Sequence, residues 1–280
     1  MPFLTRPDGV DVYHEDFGKG PALLFIHAGN MSHAMWEGQV AALAGEFRTV
    51  TFDWRGTGQS GKPRGGYTAE AVVADVCALI EELRLEATTL VGHGIGTHVA
   101  LMAAEARPEL VRGLALASAA PWFSGERDGA VGGLSEAFMR FLEEKNGLGT
   151  GRGVPYAQAC AELAENWLFH RPPHPAVLQA VLVQALGWPQ FVINAYVASM
   201  RGIDQRDRLG RIACPTLLLQ GRHDRKQRYE GAVHMAGLLS DARLVTLEHS
   251  AHMGQLEEEH PFNEALRSFA GRLTTGARRP

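Results

Sequence analysis

The chain has 280 residues, 45% of them hydrophobic and 21% charged, with a formal net charge of −4. That length holds one large α/β domain, or a core domain with an insertion, and the mild, scattered acidity leaves no basic stripe for nucleic acid and no polybasic patch for a membrane. Cys77, Cys160 and Cys214 are widely spaced with no C-x-x-C pair; with no apolar leader and no run near 18 apolar residues, a cytoplasmic small-molecule protein is expected.

After the turn Pro7-Asp8-Gly9, Val10 to Glu15 alternates apolar and polar residues, which predicts a half-exposed strand of a leading hairpin. Ala22 to Ile26 is a continuous apolar run, the pattern of a strand buried on both faces, and it ends in His27-Ala28-Gly29-Asn30. Trp36, Val40, Leu43 and Phe47 fall at helical spacing. Thr49 to Phe52 predicts the next strand, followed by Asp53-Trp54-Arg55-Gly56-Thr57-Gly58-Gln59-Ser60, where Asp53 and Arg55 are expected to pair across a tight reversal. Thr68 is placed to cap a helix through Val72, Val76 and Leu83. Thr88 to Val91 predicts a central strand, a helix follows to about Arg107, and Val111 to Ala117 predicts another buried strand.

This alternation implies βαβ crossovers and a mostly parallel sheet with helices on both faces. From Pro121 to about Asp207 the rhythm changes. Val131 to Lys145, Tyr156 to Phe169, Pro175 to Leu186 and Pro189 to Met200 all read as helices, and the block is rich in aromatics. The expected organisation is therefore a core of residues 1–120 and 208–280 with a helical lid, 121–207, inserted between sheet strands. The rhythm then resumes with a strand at Thr216 to Gln220, a helix through Met235, a strand at Arg243 to Leu247 and a last helix from Pro261 to Leu273, with a frayed tail from Thr274.

The stretch with most chemical content is Gly92-His93-Gly94-Ile95-Gly96, set between a strand and a helix. That is the context of a G-x-S-x-G nucleophile elbow, with Gly94 where the attacking serine belongs. Glycine relieves the strain of the positive φ the elbow needs, but removes the covalent handle. His93, Thr97, His98 and Ser118 lie nearby, and none is placed to supply a replacement. His170-Arg171-Pro172-Pro173-His174 offers two imidazoles, too few for a metal site, and no cofactor motif is present.

Five features in order, His27-Ala28-Gly29, Asp53-x-Arg55-Gly56-x-Gly58-x-Ser60, Gly92-x-Gly94-x-Gly96, Gly221-x-x-Asp224 and a late His252, resemble the α/β-hydrolase superfamily over essentially the whole chain. The likeness is to small lidded bacterial esterases, enol-lactonases and carbon–carbon bond hydrolases. It implies catalytic positions at Gly94 (the nucleophile position), Asp224 and His252, with an oxyanion hole from the backbone N–H groups of Gly29 and Ile95. Asp53 and Arg55 are scaffold in that likeness. His93, Trp122, Phe138 and Trp167 are the expected pocket residues. The substrate implied is a small carbonyl compound, an ester, lactone or β-dicarbonyl, with an apolar or aromatic body and no nucleic-acid or membrane partner; the oligomeric state is open. Three readings follow from Gly94: a hydrolase whose serine has been replaced, by nature or by design; an enzyme that uses water or a base without a covalent step; and a non-catalytic ligand-binding or regulatory module. An enzyme is favoured, because the Asp224–His252 dyad and the oxyanion hole do not depend on the serine.

Overall fold

The computed structural model describes residues 2–148 and 152–275. The continuous apolar runs do become the centre of the sheet. β3 (Ala22–Ile26) and β5 (Thr88–His93) are buried along their whole length, because each is covered on both faces by crossover helices. Around them stand β1 (Phe3–Thr5), β2 (Asp11–Phe17), β4 (Arg48–Phe52), β6 (Val111–Ala117), β9 (Thr216–Gly221) and β10 (Ala242–Leu247), in the order β1-β2-β4-β3-β5-β6-β9-β10. Only β1 and β2 run antiparallel to their neighbours, and β1–β2 is the leading hairpin. The missing numbers, β7 (Glu126–Arg127) and β8 (Ala130–Val131), are a separate two-stranded ribbon.

The core helices are α1 (Glu37–Leu43), α2 (Ala69–Glu82), α3 (Ile95–Ala106), α9 (Tyr229–Leu238), α10 (Gly254–Glu257) and α11 (Glu259–Thr275). α2 packs beside α3, and α1 beside α11. Thr68 caps α2 as expected, its side chain accepting from Ala71 N at 3.3 Å. Of the expected frayed tail, residues 276–280 lie outside the described residues, and α11 extends to Thr275.

Between β6 and β9 the chain leaves the sheet for the ribbon and α4 (Glu136–Glu144), α5 (Tyr156–Trp167), α6 (Pro175–Leu186), α7 (Gln190–Met200) and the short α8 (Arg206–Leu209). The first of these helices starts later than Val131. Gly129 turns the ribbon with φ +74°, and Ser135, accepting from Phe138 N, is the cap that starts α4. No single helix among the described residues is long and apolar enough to cross a membrane.

The expected pairing of Asp53 with Arg55 does not form. Asp53 accepts from His33 N, Gln59 N and the His33 ring, while Arg55 forks onto Asp75 and reaches Asp8. The reason is the local turn: Gly58 runs so close over the Asp53 carboxylate that a Cβ there would overlap it. Asp53 thus clamps its own loop, and Arg55 ties that loop to α2 and to the β1–β2 turn.

Candidate active site

β5 ends at His93, and the chain reverses at Gly94 with φ +56° and ψ −121° before α3 begins. The flanking glycines are steric requirements. A Cβ on Gly92 would lie 2.8 Å from Gly96 O, and one on Gly96 would lie 2.7 Å from Ile26 O and His27 O, distances no real side chain tolerates. Gly94 is different. A Cβ there would meet nothing closer than His252 Nε2 at 3.4 Å and Ala28 Cβ at 3.6 Å, ordinary contacts. The apex thus has room for a Cβ facing the histidine, at the strain that a positive φ imposes on any side chain.

His252 lies on the loop after β10 and is 2% exposed. Its Nδ1 is 2.9 Å from Asp224 Oδ2, on the loop after β9. Asp224 is held in turn: Oδ1 accepts from Lys226 N at 2.9 Å and Gln227 N at 3.0 Å, and Oδ2 accepts from Gln220 Nε2 at 3.3 Å. With Nδ1 committed as donor, Nε2 is the free base, and it makes no hydrogen bond among the described residues. Burial, reinforced by the Lys226 ammonium, holds the imidazole below its ordinary pKa against the pull of Asp224. Burial would raise Asp224, but the imidazole and the backbone N–H groups bring it below the usual carboxylate value. The resting pair is a neutral base beside a fixed anion.

Beneath His252 lies His93, wholly buried, donating from Nε2 to His252 O at 2.8 Å, with the two rings edge to face at 4.8 Å. Ser118 Oγ donates to the same oxygen at 3.0 Å. Both hold the histidine loop. Thr97 Oγ1 donates to Gly94 O, and His98 pairs with Gln205, so none of these groups occupies the serine's place.

The loop after β3 supplies Gly29. Its shape is fixed by His27, which donates from Nδ1 to Ala28 O at 2.8 Å and accepts at Nε2 from Trp54 N at 3.1 Å. Burial pushes this ring down to about 4, so it stays neutral in both roles. A Cβ on Gly29 would touch Ile95 Cδ1 at 3.1 Å, so the two loops meet. The N–H groups of Gly29 and Ile95 donate to none of the described residues, and Ile95 opens α3, where helix-terminal N–H groups are unpaired.

Gly29, Gly94, Ile95 and His252 share a cavity of about 30 Å³, walled by Leu134, Phe138, Leu142, Ile193 and Val197 and by the polar Asn30, Lys226 and Gln227. That is room for one or two waters. Of the four expected pocket residues only Phe138 lines it. His93 is under the histidine instead, because the strand carries its side chain into the core. Trp122 is fully buried, its Nε1 donating to Gly125 O to brace the ribbon. Trp167 packs its edge on Phe138 but faces an outer cleft of about 920 Å³ that includes Asp224 and neither Gly94 nor His252. Lys226 was not anticipated. Two residues past Asp224 in the run Arg225-Lys226-Gln227-Arg228 it reads as one of several solvated bases, yet it is 8% exposed, with Nζ 4.7 Å over the Phe138 ring.

Residues 21–259 match the family described as the alpha/beta hydrolase fold. The chain belongs to that family. It is 28% identical to the AB hydrolase superfamily protein YisY of Bacillus subtilis, over 96% of this chain and 98% of that one. To a putative carbamate hydrolase RutD of Rhizobium rhizogenes it is 30% identical, over 85% and 88% of the two chains. Among solved structures, an esterase from Exiguobacterium antarcticum superposes with a TM-score of 0.87 at 28% identity, covering 96% and 98%. An enol-lactonase from Burkholderia xenovorans, 20% identical over 96% and 99% of the two chains, shares the fold at 0.81. This alpha/beta hydrolase is a hydrolase-type enzyme by kinship.

Proposed function

We propose that this protein cleaves a small carbonyl compound, an ester, lactone, carbamate or β-dicarbonyl, by base-driven attack of water rather than through an acyl-enzyme. The observation that carries this is the space above Gly94: a vacancy the size of a side chain, facing a free His252 Nε2. A water there donates to Nε2 and lies where a serine oxygen would. As it attacks the carbonyl carbon, His252 takes its proton, Asp224 stabilises the imidazolium through Nδ1–H, and the N–H groups of Gly29 and Ile95 receive the developing oxyanion. Collapse of the tetrahedral intermediate returns the proton from Nε2 to the leaving group, so the base is regenerated. The helical insertion is the lid in this reading. A cavity of about 30 Å³ admits no ester, so α4 and α7, which carry Phe138, Leu142, Ile193 and Val197, must shift for substrate to enter.

The test is His252→Ala in the protein as it stands, assayed on a panel of activated esters, lactones and β-diketones. General-base catalysis contributes about 10²–10⁴-fold, so turnover falls by that order. Unchanged turnover of the best substrate overturns the dyad mechanism.

A further inference from the structure

Lys226 is the one cation in the wall of the reaction cavity, and its charge is unspent. Nζ makes no ion pair and no hydrogen bond among the described residues, and its only close partner is the face of Phe138 at 4.7 Å. The nearest anion cannot take it. Both oxygens of Asp224 are already engaged, Oδ1 by two backbone N–H groups and Oδ2 by His252 and Gln220. Burial lowers Lys226 to about 8 while Asp224 pulls the other way, so the ammonium remains the majority form at neutral pH. The rest of the wall is apolar except for the amides of Asn30 and Gln227 and the neutral His252 ring, and holds no other charged side chain. A lysine that is nine-tenths buried, with no partner for its ammonium in a largely apolar cavity, is costly unless a ligand completes it.

We propose that Lys226 anchors a carboxylate carried by the substrate itself, so that the true substrate is an ester or lactone of an acid with a second, free carboxylate. This rests on the hydrolytic reading of the same site. The chemistry selects a carboxylate over a phosphate. One ammonium point charge with no arginine fork in the cavity neutralises a monoanion, whereas a phosphate dianion calls for further cationic donors. The oxyanion hole takes the reacting carbonyl and Lys226 takes the remote charge, which fixes which carbonyl of the substrate faces His252.

The experiment is titration calorimetry of the unaltered protein with ketone analogues that carry no leaving group, 4-oxopentanoic, 5-oxohexanoic and 6-oxoheptanoic acids, each against its terminal amide. Their ketone carbonyl occupies the oxyanion hole and cannot be hydrolysed, so the distal group alone differs. At one chain length or more, the carboxylate should bind at least tenfold tighter than its amide. Lys226→Met should erase that preference and leave amide affinity within twofold, while Lys226→Arg should keep most of it. No preference at any length, or a preference intact in Lys226→Met, overturns the proposal. The wild-type comparison and Lys226→Arg decide the matter even where Lys226→Met does not fold. Binding is read without turnover, so the two ideas fail separately: charge preference without hydrolysis removes the hydrolytic reading, and His252-dependent hydrolysis without charge preference removes the anchor.

Discussion

The two sides of the cavity are built to different standards. Around His252, side chains do everything: Asp224, Gln220, Ser118 and His93 are buried and interlocked with it by hydrogen bonds of 2.8–3.3 Å. Facing His252 across the cavity, the elbow after β5 and the loop after β3 offer backbone instead, the turn at Gly94 and the N–H groups of Gly29 and Ile95. The comparison teaches that the two halves are built independently: glycine meets φ +56° at the elbow without strain, and the side-chain half is complete without any side chain at that position.

The largest effect should come from the side-chain half. Asp224→Asn keeps the shape but permits the wrong imidazole tautomer, and in a triad protease that change costs about 10⁴ in kcat. A loss of two or more orders of magnitude in single-turnover rate is expected here, with little change in substrate affinity; a loss under threefold breaks the contrast between the halves. Gly94→Ser probes the other half. The Cβ fits, so the variant should gain labelling by a serine-directed fluorophosphonate and faster release of p-nitrophenol from its esters. The positive φ costs a non-glycine residue about 1–3 kcal/mol, so its melting temperature should drop by several degrees. Absent labelling in a folded variant means the apex does not face His252. The smallest effect is in the pH profile. His252 must be neutral to act and is held below the ordinary imidazole value, so the rate should rise with pH below that value and level off by neutrality. Lys226→Met removes a neighbouring cation, makes the imidazolium easier to form, and should move the rising limb to higher pH. A limb that stays or moves down shows that the ammonium does not act on the ring.

How much of this was legible in the residues follows from what sets each feature. Fully buried strands announce themselves by composition, and β3, β5 and β9 need only that. The elbow is legible because backbone geometry forces glycines at fixed spacing, and Asp224 and His252 are legible only through the resemblance to the hydrolase superfamily, whose order of motifs implies them. Side-chain facing within the insertion was not. Trp122, Phe138 and Trp167 are alike in the sequence, and tertiary packing alone sends one into the ribbon, one to the cavity and one to the outer cleft. The glycine-rich reversal suggests that Asp53 and Arg55 pair across it; partners at His33 and Asp75, each 20 residues away, take them instead. Lys226 is hidden by its basic neighbours, since a charge buried against Phe138 of α4, remote in the chain, leaves no local trace.

The helical insertion is fastened at the very loops that carry the chemistry. Asn30 donates to Tyr156 Oη, Ser32 N and Oγ to Gln184 Oε1, and Trp188 Nε1 to Met31 O, while His252 N and Met253 N both donate to Leu168 O at 3.1 Å. If the insertion is the lid of the proposed site, specificity and rate are not independent traits in this protein. Exchanging the insertion for that of a relative, to admit a new substrate, would also unmoor the oxyanion loop and the histidine loop, and a successful graft has to bring along new moorings for both.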